Sequence, residues 1–462
     1  MAAPPGRRSV SVVSTSHSMS TADAAWLRMD RPTNLMIVNS VLWFDEPVDW
    51  EACRALFLER IVDRFDRFHQ RAADGLPLTG PRWVDDPDFD ADLHFHHVAL
   101  PAPHDRRALE DFIGDRIATP LDHSRPLWAV YLIDDYGAGC AILMRIHHSI
   151  ADGVALTRVM LSLTDGGDPT SAGIADSGRR PDPLGGLAPI ARAAGLLAHE
   201  GIETLLHPRH ARELAASAAS DAQTLAKLLL SSADPHTAIR GEQHIAHRVA
   251  WSDPVDLWRV KRAGRGHGAT VNDVLVAAVS GAVGRYLRAH GEDVEDVHAL
   301  VPFNLRPLDR PLPRELGNQF GLVLLGLPVG IADPVARLGE VKRRMDAIKD
   351  SHEGALSFGI LGLMGRTPAQ VEQRLIDFFT AKGSMVLTNV PGPRRTLSLA
   401  GTPLGGVLVW APCSGSVGMS VSVFSYANKV TVGFLTDAGM VPEPQELADA
   451  FRADLLALAR SA

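Results

Sequence analysis

Residues 147–153 read His147-His148-Ser149-Ile150-Ala151-Asp152-Gly153, two adjacent imidazoles followed by a carboxylate and a glycine. An imidazole titrates near neutrality, so it can take a proton from a hydroxyl and return it to a leaving group. His148 and Asp152 are four residues apart, and one helical turn would bring them together. A carboxylate at that distance could fix the ring's tautomer, or it could hold the loop through an ion pair with an arginine; the spacing leaves both open. A histidine pair at the end of a strand can also be purely structural.

Other residues offer less. His94, His96 and His97 form a second imidazole group, in which His94 and His96 would share one strand face. No Cys, Asp or Glu completes them at ligand spacing, so no metal is expected. Nucleophile-elbow and dinucleotide-binding glycine patterns are missing from the sequence. Cys140 sits in an apolar run that gives no means of lowering a thiol pKa, and it reads as core.

The elements that must position His147 and His148 follow from periodicity. Leu35–Phe44 reads as a strand, and Val48–Arg71 carries Leu56, Ile61, Val62, Phe65 and Phe68 at helical spacing. A strand near Leu93–Leu100 and a helix near Arg106–Ile117 come next. Trp128–Ile133 and Cys140–Ile146 form a hairpin whose second strand ends at the histidine pair, and helical spacing resumes at about Val154. Gly, Pro, Asp and Ser then dominate to Gly186, and Ile190–Leu230 reads as two helices broken by Pro208. Strands are predicted at Ile245–Trp251, His298–Val301, Phe320–Leu327, Ser384–Thr388, Val407–Trp410, Ser420–Ser425 and Lys429–Phe434. Helices are predicted at Val271–Ala289, Pro334–Ile348 and Pro444–Leu458. This mixture predicts an α/β protein of two domains. Residues 1–19 read as a loose tail, 20–165 as the first domain, 166–240 as linker and crossover helices, and 241–462 as the second domain.

Composition narrows the class. The 462 residues carry 46 basic and 54 acidic side chains, a formal net charge of −8, without the basic footprint of a nucleic-acid binder. Three scattered cysteines predict no disulfide framework. No apolar run is long enough to span a bilayer, so any membrane contact would come from the side. Ala355–Met364 and Leu225–Leu230 could line an acyl pocket or touch a lipid surface, or be ordinary buried helix.

Several segments together resemble one family. The HHxxxDG pattern is the signature of the chloramphenicol acetyltransferase-like superfamily. Pro120-Leu121-Asp122-His123-Ser124-Arg125-Pro126-Leu127-Trp128 resembles the PLDxxxPLW element of the bacterial wax ester synthase/diacylglycerol acyltransferase family. Thr270-Val271-Asn272-Asp273-Val274 is similar to its helix start, and Val301–Arg306 with Leu316-Gly317-Asn318-Gln319-Phe320 to its P-x-x-LR…GN segment. Thr388-Asn389-Val390-Pro391-Gly392-Pro393 resembles its NVPGP turn, and Ser20–Trp26 its usual opening.

The resemblance implies two acetyltransferase-like domains of mixed sheets flanked by helices, joined by a helical crossover, with the site in a tunnel between them. It implies direct transfer of a fatty acyl group from acyl-CoA, as co-substrate without a further cofactor, to a long-chain alcohol or diacylglycerol. His148 takes the base role, His147 supports it, and Asp152 is mainly structural. Gly153, Asn272 and Asp273 belong to the motifs, although Thr270 with Asn272 or Asp273 could simply cap a helix. Pro120, Leu121, Asp122, Trp128, Asn318, Thr388 and Asn389 are candidate pocket residues, with Trp128 also readable as a core aromatic. Asn389 or a nearby backbone N–H is a candidate donor to the oxyanion. The implied setting is cytoplasmic, with peripheral contact to a membrane or lipid droplet. Two other readings stay open: a condensation-type or glycolipid acyltransferase fed by a carrier-protein thioester, and a non-catalytic lipid-binding protein.

Overall fold

A computed structural model describes residues 16–75, 80–165, 233–304, 311–349 and 380–462. The linker expected to Gly186, the helices expected at Ile190–Leu230 and the apolar stretch Ala355–Met364 lie outside the described residues.

In the first half the chain forms β1 (Ser16–Ser18), α1 (Thr21–Met29), β2 (Ile37–Phe44), α2 (Trp50–Phe57), β3 (Gln70–Ala73), β4 (Arg82–Asp85) and β5 (Phe95–Ala99). Then follow α3 (Arg106–Ile117), β6 (Trp128–Tyr136), β7 (Gly139–His147) and α4 (Gly153–Ser162). The second half begins with β8 (His247–Trp251), β9 (Val255–Asp256), α5 (Leu257–Gly266), α6 (Val271–Ala289), β10 (Val297–Asn304) and β11 (Phe320–Leu327). It ends with α7 (Pro334–Lys349), β12 (Met385–Pro391), β13 (Ser398–Leu399), β14 (Thr402–Trp410), β15 (Met419–Tyr426), β16 (Lys429–Asp437) and α8 (Gln445–Arg460).

Two mixed sheets organise most of these elements, and β1-β4-β3 form a small antiparallel third. One runs β13-β14-β2-β7-β6-β5, with β5 and β6 parallel and the other pairs antiparallel. The other runs β11-β10-β12-β15-β16-β8, with β9 also on β16 and parallel pairing at β10–β12 and β12–β15. One core surrounds the first sheet and also takes in Trp251, Phe424, Tyr426 and Leu435 from the second. A second core fills the space between the second sheet and α5, α6, α7 and α8. Helices α6 and α7 and the last helix are pinned by a buried Arg337–Asp454 ion pair at 2.6 Å, with Arg337 also reaching the Ala277 carbonyl of α6.

Several expectations need correction. The helix expected over Val48–Arg71 stops at Phe57 and passes through a π-turn at Leu58–Val62 and a 3-10 turn at Asp66–Phe68. Ile61, Val62, Phe65 and Phe68 are nevertheless buried, and Leu56 is half-buried. Their spacing recorded burial, which an irregular backbone satisfies as well as a regular one. The strand expected from Leu93 begins at Phe95, because Ala91–His94 is a 3-10 turn capped by Asp90. Residues 1–19 are not wholly a tail, since Ser16–Ser18 pairs with β4. Asn389–Pro391 continues a strand, and the turn begins only at Gly392, where a Cβ would come within 2.5 Å of the Ser425 carbonyl oxygen. A linear division at residues 165 and 241 does not foresee that β13 and β14 join the first sheet, with Trp410 opposite Asn39 and Leu404 opposite Phe44.

Candidate active site

Every residue of β7 is buried, and the strand delivers His147 and His148 to its end. The His148 amide donates to the Met36 carbonyl at 2.7 Å, which continues the β2–β7 pairing by one step. The chain then turns, with the Ile150 amide donating to His147. Asp152 caps α4 by accepting from the Ala155 amide at 2.9 Å.

The segment Leu316–Phe320, between β10 and β11, closes over this turn. The Gly317 amide donates to the Ile150 carbonyl at 3.1 Å, and the Gln319 amide donates to the second Asp152 oxygen at 3.0 Å. Each Asp152 oxygen thus accepts from a backbone amide, and the side chain on Nδ1 of His148 is that of Asn318, at 2.9 Å.

The Asn318 amide decides the tautomer. Its nitrogen donates to the His148 carbonyl at 2.8 Å and to Asp23 Oδ1 at 2.7 Å. Both partners are acceptors, so the amide oxygen faces the ring and Nδ1 must carry the hydrogen. Nε2 keeps its lone pair and makes no hydrogen bond among the described residues. Trp26 stacks on the same ring at 4.1 Å and 19°, and Phe320 lies 5.5 Å away. The residue is 5 % exposed, against 0 % for His147. Burial drives its pKa down to about 4, against the opposing pull of the Asp152 charge.

His147 is held differently. Its Nδ1 accepts from the Ser149 amide at 3.1 Å and lies 2.8 Å from the Ser149 hydroxyl. Its Nε2 is 3.8 Å from Asp30, and burial lowers its pKa. Asp30 also bonds His123 at 3.1 Å and the Met36 amide at 2.7 Å. Although burial opposes ionisation of Asp30, those hydrogen bonds hold its carboxyl well below the usual range, and Asp30 in turn raises the pKa of His123.

The other candidates lie in different settings. Trp128 is enclosed by Phe57, Phe68, His94 and Phe95, with Nε1 donating to the Phe68 carbonyl at 2.9 Å, so it is core and not pocket wall. Pro120 and Asp122 are exposed and Leu121 half-buried; Asp122 accepts from the Ser124 amide and hydroxyl and so shapes a turn. Asp273 completes a capping box with Thr270. Asn389 donates to Asn272 at 2.8 Å through one of its two amide hydrogens, and Thr388 donates to the Val421 carbonyl at 3.3 Å. A Cβ on Gly153 would meet nothing within 4 Å.

His94 and His96 do not share a strand face. His94 is buried against Trp128 with Nδ1 2.8 Å from the Trp128 carbonyl, whereas His96 is exposed on β5. Among the described residues, no three His, Cys, Asp or Glu side chains are placed to hold a metal. Burial pushes the Cys140 thiol up to about 11. Asp23, Trp26 and Asp30 were not singled out from the sequence as site residues. Asp23 and Trp26 fall within Ser20–Trp26, a segment read there only as a family opening.

Comparison with known proteins gives consistent matches. Residues 19–275 match the wax ester synthase/diacylglycerol acyltransferase catalytic domain, and residues 316–459 match the corresponding C-terminal domain. A protein of Acinetobacter baylyi described as an O-acyltransferase is 27% identical over 387 residues, covering 80% of this chain and 81% of that one. The wax ester synthase/diacylglycerol acyltransferase of Marinobacter aquaeolei superposes with a TM-score of 0.69 at 22% identity, over 96% of this chain and 99% of the other. The first condensation domain of the calcium-dependent antibiotic synthetase superposes with a TM-score of 0.59 at 17% identity, over 96% of each chain.

Proposed function

The chain belongs to the wax ester synthase/diacylglycerol acyltransferase family, and on that premise we propose that it esterifies a long-chain alcohol or diacylglycerol with a fatty acyl group from acyl-CoA, with His148 as general base. The observation that carries the base assignment is the His148–Asn318 hydrogen bond, which leaves the Nε2 lone pair as the ring's proton acceptor.

The chemistry needs one base and no acyl-enzyme, because a thioester is already activated. Nε2 takes the proton of the acceptor hydroxyl as its oxygen attacks the thioester carbonyl carbon. The tetrahedral intermediate collapses with cleavage of the C–S bond, and the imidazolium returns the proton to the departing thiolate. Ester and free CoA leave, and His148 is neutral again without net proton exchange. A ring kept neutral by burial is in the state that the first step requires. Asp152 holds the turn and Leu316–Phe320 together. His147, tied to Ser149 and facing Asp30, supports the strand end.

Acyl-CoA is the co-substrate, and the reaction calls for no cofactor. Among the described residues no helix is long and apolar enough to cross a membrane. Each buried methylene of a long-chain substrate contributes ~0.8 kcal/mol of attraction to a lipid phase, which favours a cytoplasmic enzyme in peripheral contact with membrane or droplet. We divide the chain as first domain 20–165, crossover 166–240 and second domain 241–462, with β13 and β14 returned to the first sheet.

The test is CoA release across acyl-CoA chain lengths, with hexadecanol and diacylglycerol as competing acceptors. His148→Ala is expected to abolish release with both acceptors while the circular dichroism spectrum is kept. Turnover retained in the folded variant refutes the base assignment.

A further inference from the structure

We propose that Asp23 is a positioning residue for this reaction, acting on His148 through the side-chain amide of Asn318. The inference rests on the reading of His148 as base. Three hydrogen bonds define the path: Nδ1 of His148 to Asn318 Oδ1 at 2.9 Å, Asn318 Nδ2 to Asp23 Oδ1 at 2.7 Å, and the Asn318 backbone amide to the same Asp23 oxygen at 3.1 Å. Asp23 and Asn318 are 295 residues apart and both buried, at 3 % and 6 % exposure.

Asn318 could rotate its amide without changing shape, and the rotated form would present N–H to Nδ1 and force the proton onto Nε2. A ring protonated on Nε2 has no base to offer. Two bonds oppose that rotation, and the one to Asp23 is the charge-assisted one. The carboxylate therefore fixes the tautomer at one remove. It acts again during the reaction: when Nε2 gains the hydroxyl proton, the new positive charge is met at Nδ1 by an amide oxygen whose own N–H is polarised by Asp23. No proton moves along the path, and Asp23 is unchanged at the end of the cycle.

The same helix sets the ring plane. Asp23 and Trp26 are three apart on α1 and share its inner face, so one turn of helix supplies both the Asn318 anchor and the stacking surface. Ser20 caps this helix by accepting from the Asp23 amide at 3.1 Å, which fixes where the carboxylate begins. Burial raises the pKa of Asp23, while its bonds to Asn318 and the charge of Arg67 favour the ionised form.

The experiment compares the parent, Asp23→Asn and His148→Ala as full-length proteins, with octanoyl-CoA and a short soluble alcohol as probes. Asp23→Asn is expected to lower kcat about tenfold with KM within twofold, and to move the acid limb of kcat/KM to lower pH. Asp23→Glu is expected to recover part of the loss. Unchanged kcat with a superimposable pH profile overturns the proposal. So does a loss explained by a smaller folded fraction, in which the remaining activity keeps the parent profile. If Asp23→Asn does not fold, 15N chemical shifts of the histidine rings in the parent decide, with His148→Gln as assignment control. Hydrogen on Nδ1 of His148 supports the path, and hydrogen on Nε2 overturns it. Activity surviving in His148→Ala would instead refute the base reading itself.

Discussion

Burial of His148 makes a quantitative prediction about acid. Its pKa falls from the ordinary 6.5 to about 4, a drop of about 2.5 pH units. At ~1.36 kcal/mol per unit, this is a preference for the neutral ring of roughly 3 kcal/mol. At pH 5.5 an ordinary imidazole is only about one-tenth neutral, whereas a ring titrating near 4 is almost wholly neutral. The acid limb of kcat/KM reports the free enzyme's base, so activity at pH 5.5 is expected within about a fifth of its plateau. The assay should separate CoA by chromatography, so that its readout does not itself depend on pH. A roughly tenfold loss at pH 5.5, with the fold intact by circular dichroism, refutes the reasoning. The sign for stability follows from the same shift. The unfolded chain binds the proton more readily, so this contribution is fully present above pH 6.5 and is lost as the pH falls from 6.5 through about 4. His148→Ala should flatten the decline in Tm across that window.

Asp152→Ala removes the cap of α4, worth about 1 kcal/mol, and the part-buried hydrogen bond from the Gln319 amide, worth about 0.5–1.5 kcal/mol more. Its Tm should fall at least as clearly as its turnover, and normal melting with lost turnover would instead give Asp152 a direct part in the chemistry. Gly392→Ala forces a Cβ to 2.5 Å from the Ser425 carbonyl, at a cost of about 1–3 kcal/mol. An unchanged Tm would show that the two strands do not approach so closely.

What the sequence disclosed depended on the range of the signal. β7 and α4 were legible because apolar runs and an Asp-Gly turn are local, and α3, α6 and β11 were placed at their observed bounds for the same reason. The path after Phe57 was not, because a π-turn and a 3-10 turn bury the same side chains as a continuous helix. The histidine pair was found by its motif, but its surroundings were not. Asn318 stood among candidate pocket residues, and its place on Nδ1 depends on a contact 170 residues away in sequence. Asp152, four residues from His148, was open to either role by spacing, and each of its oxygens accepts from a backbone amide, one of them across 167 residues of sequence. Asp23 left no spacing signal, since the residue it anchors is 295 positions away.

The pairing of β14 with β2 has a consequence for how the molecule is made. While the ribosome is still translating the middle of the chain, β2 has β7 on one side and an open row of backbone donors and acceptors on the other. Its missing neighbour, Thr402–Trp410, emerges near the end of synthesis. Until then the nascent protein carries an apolar ledge suited to self-association or chaperone capture. A gene cut after residue 240 should therefore yield aggregates, and co-expression of the remaining portion should restore solubility.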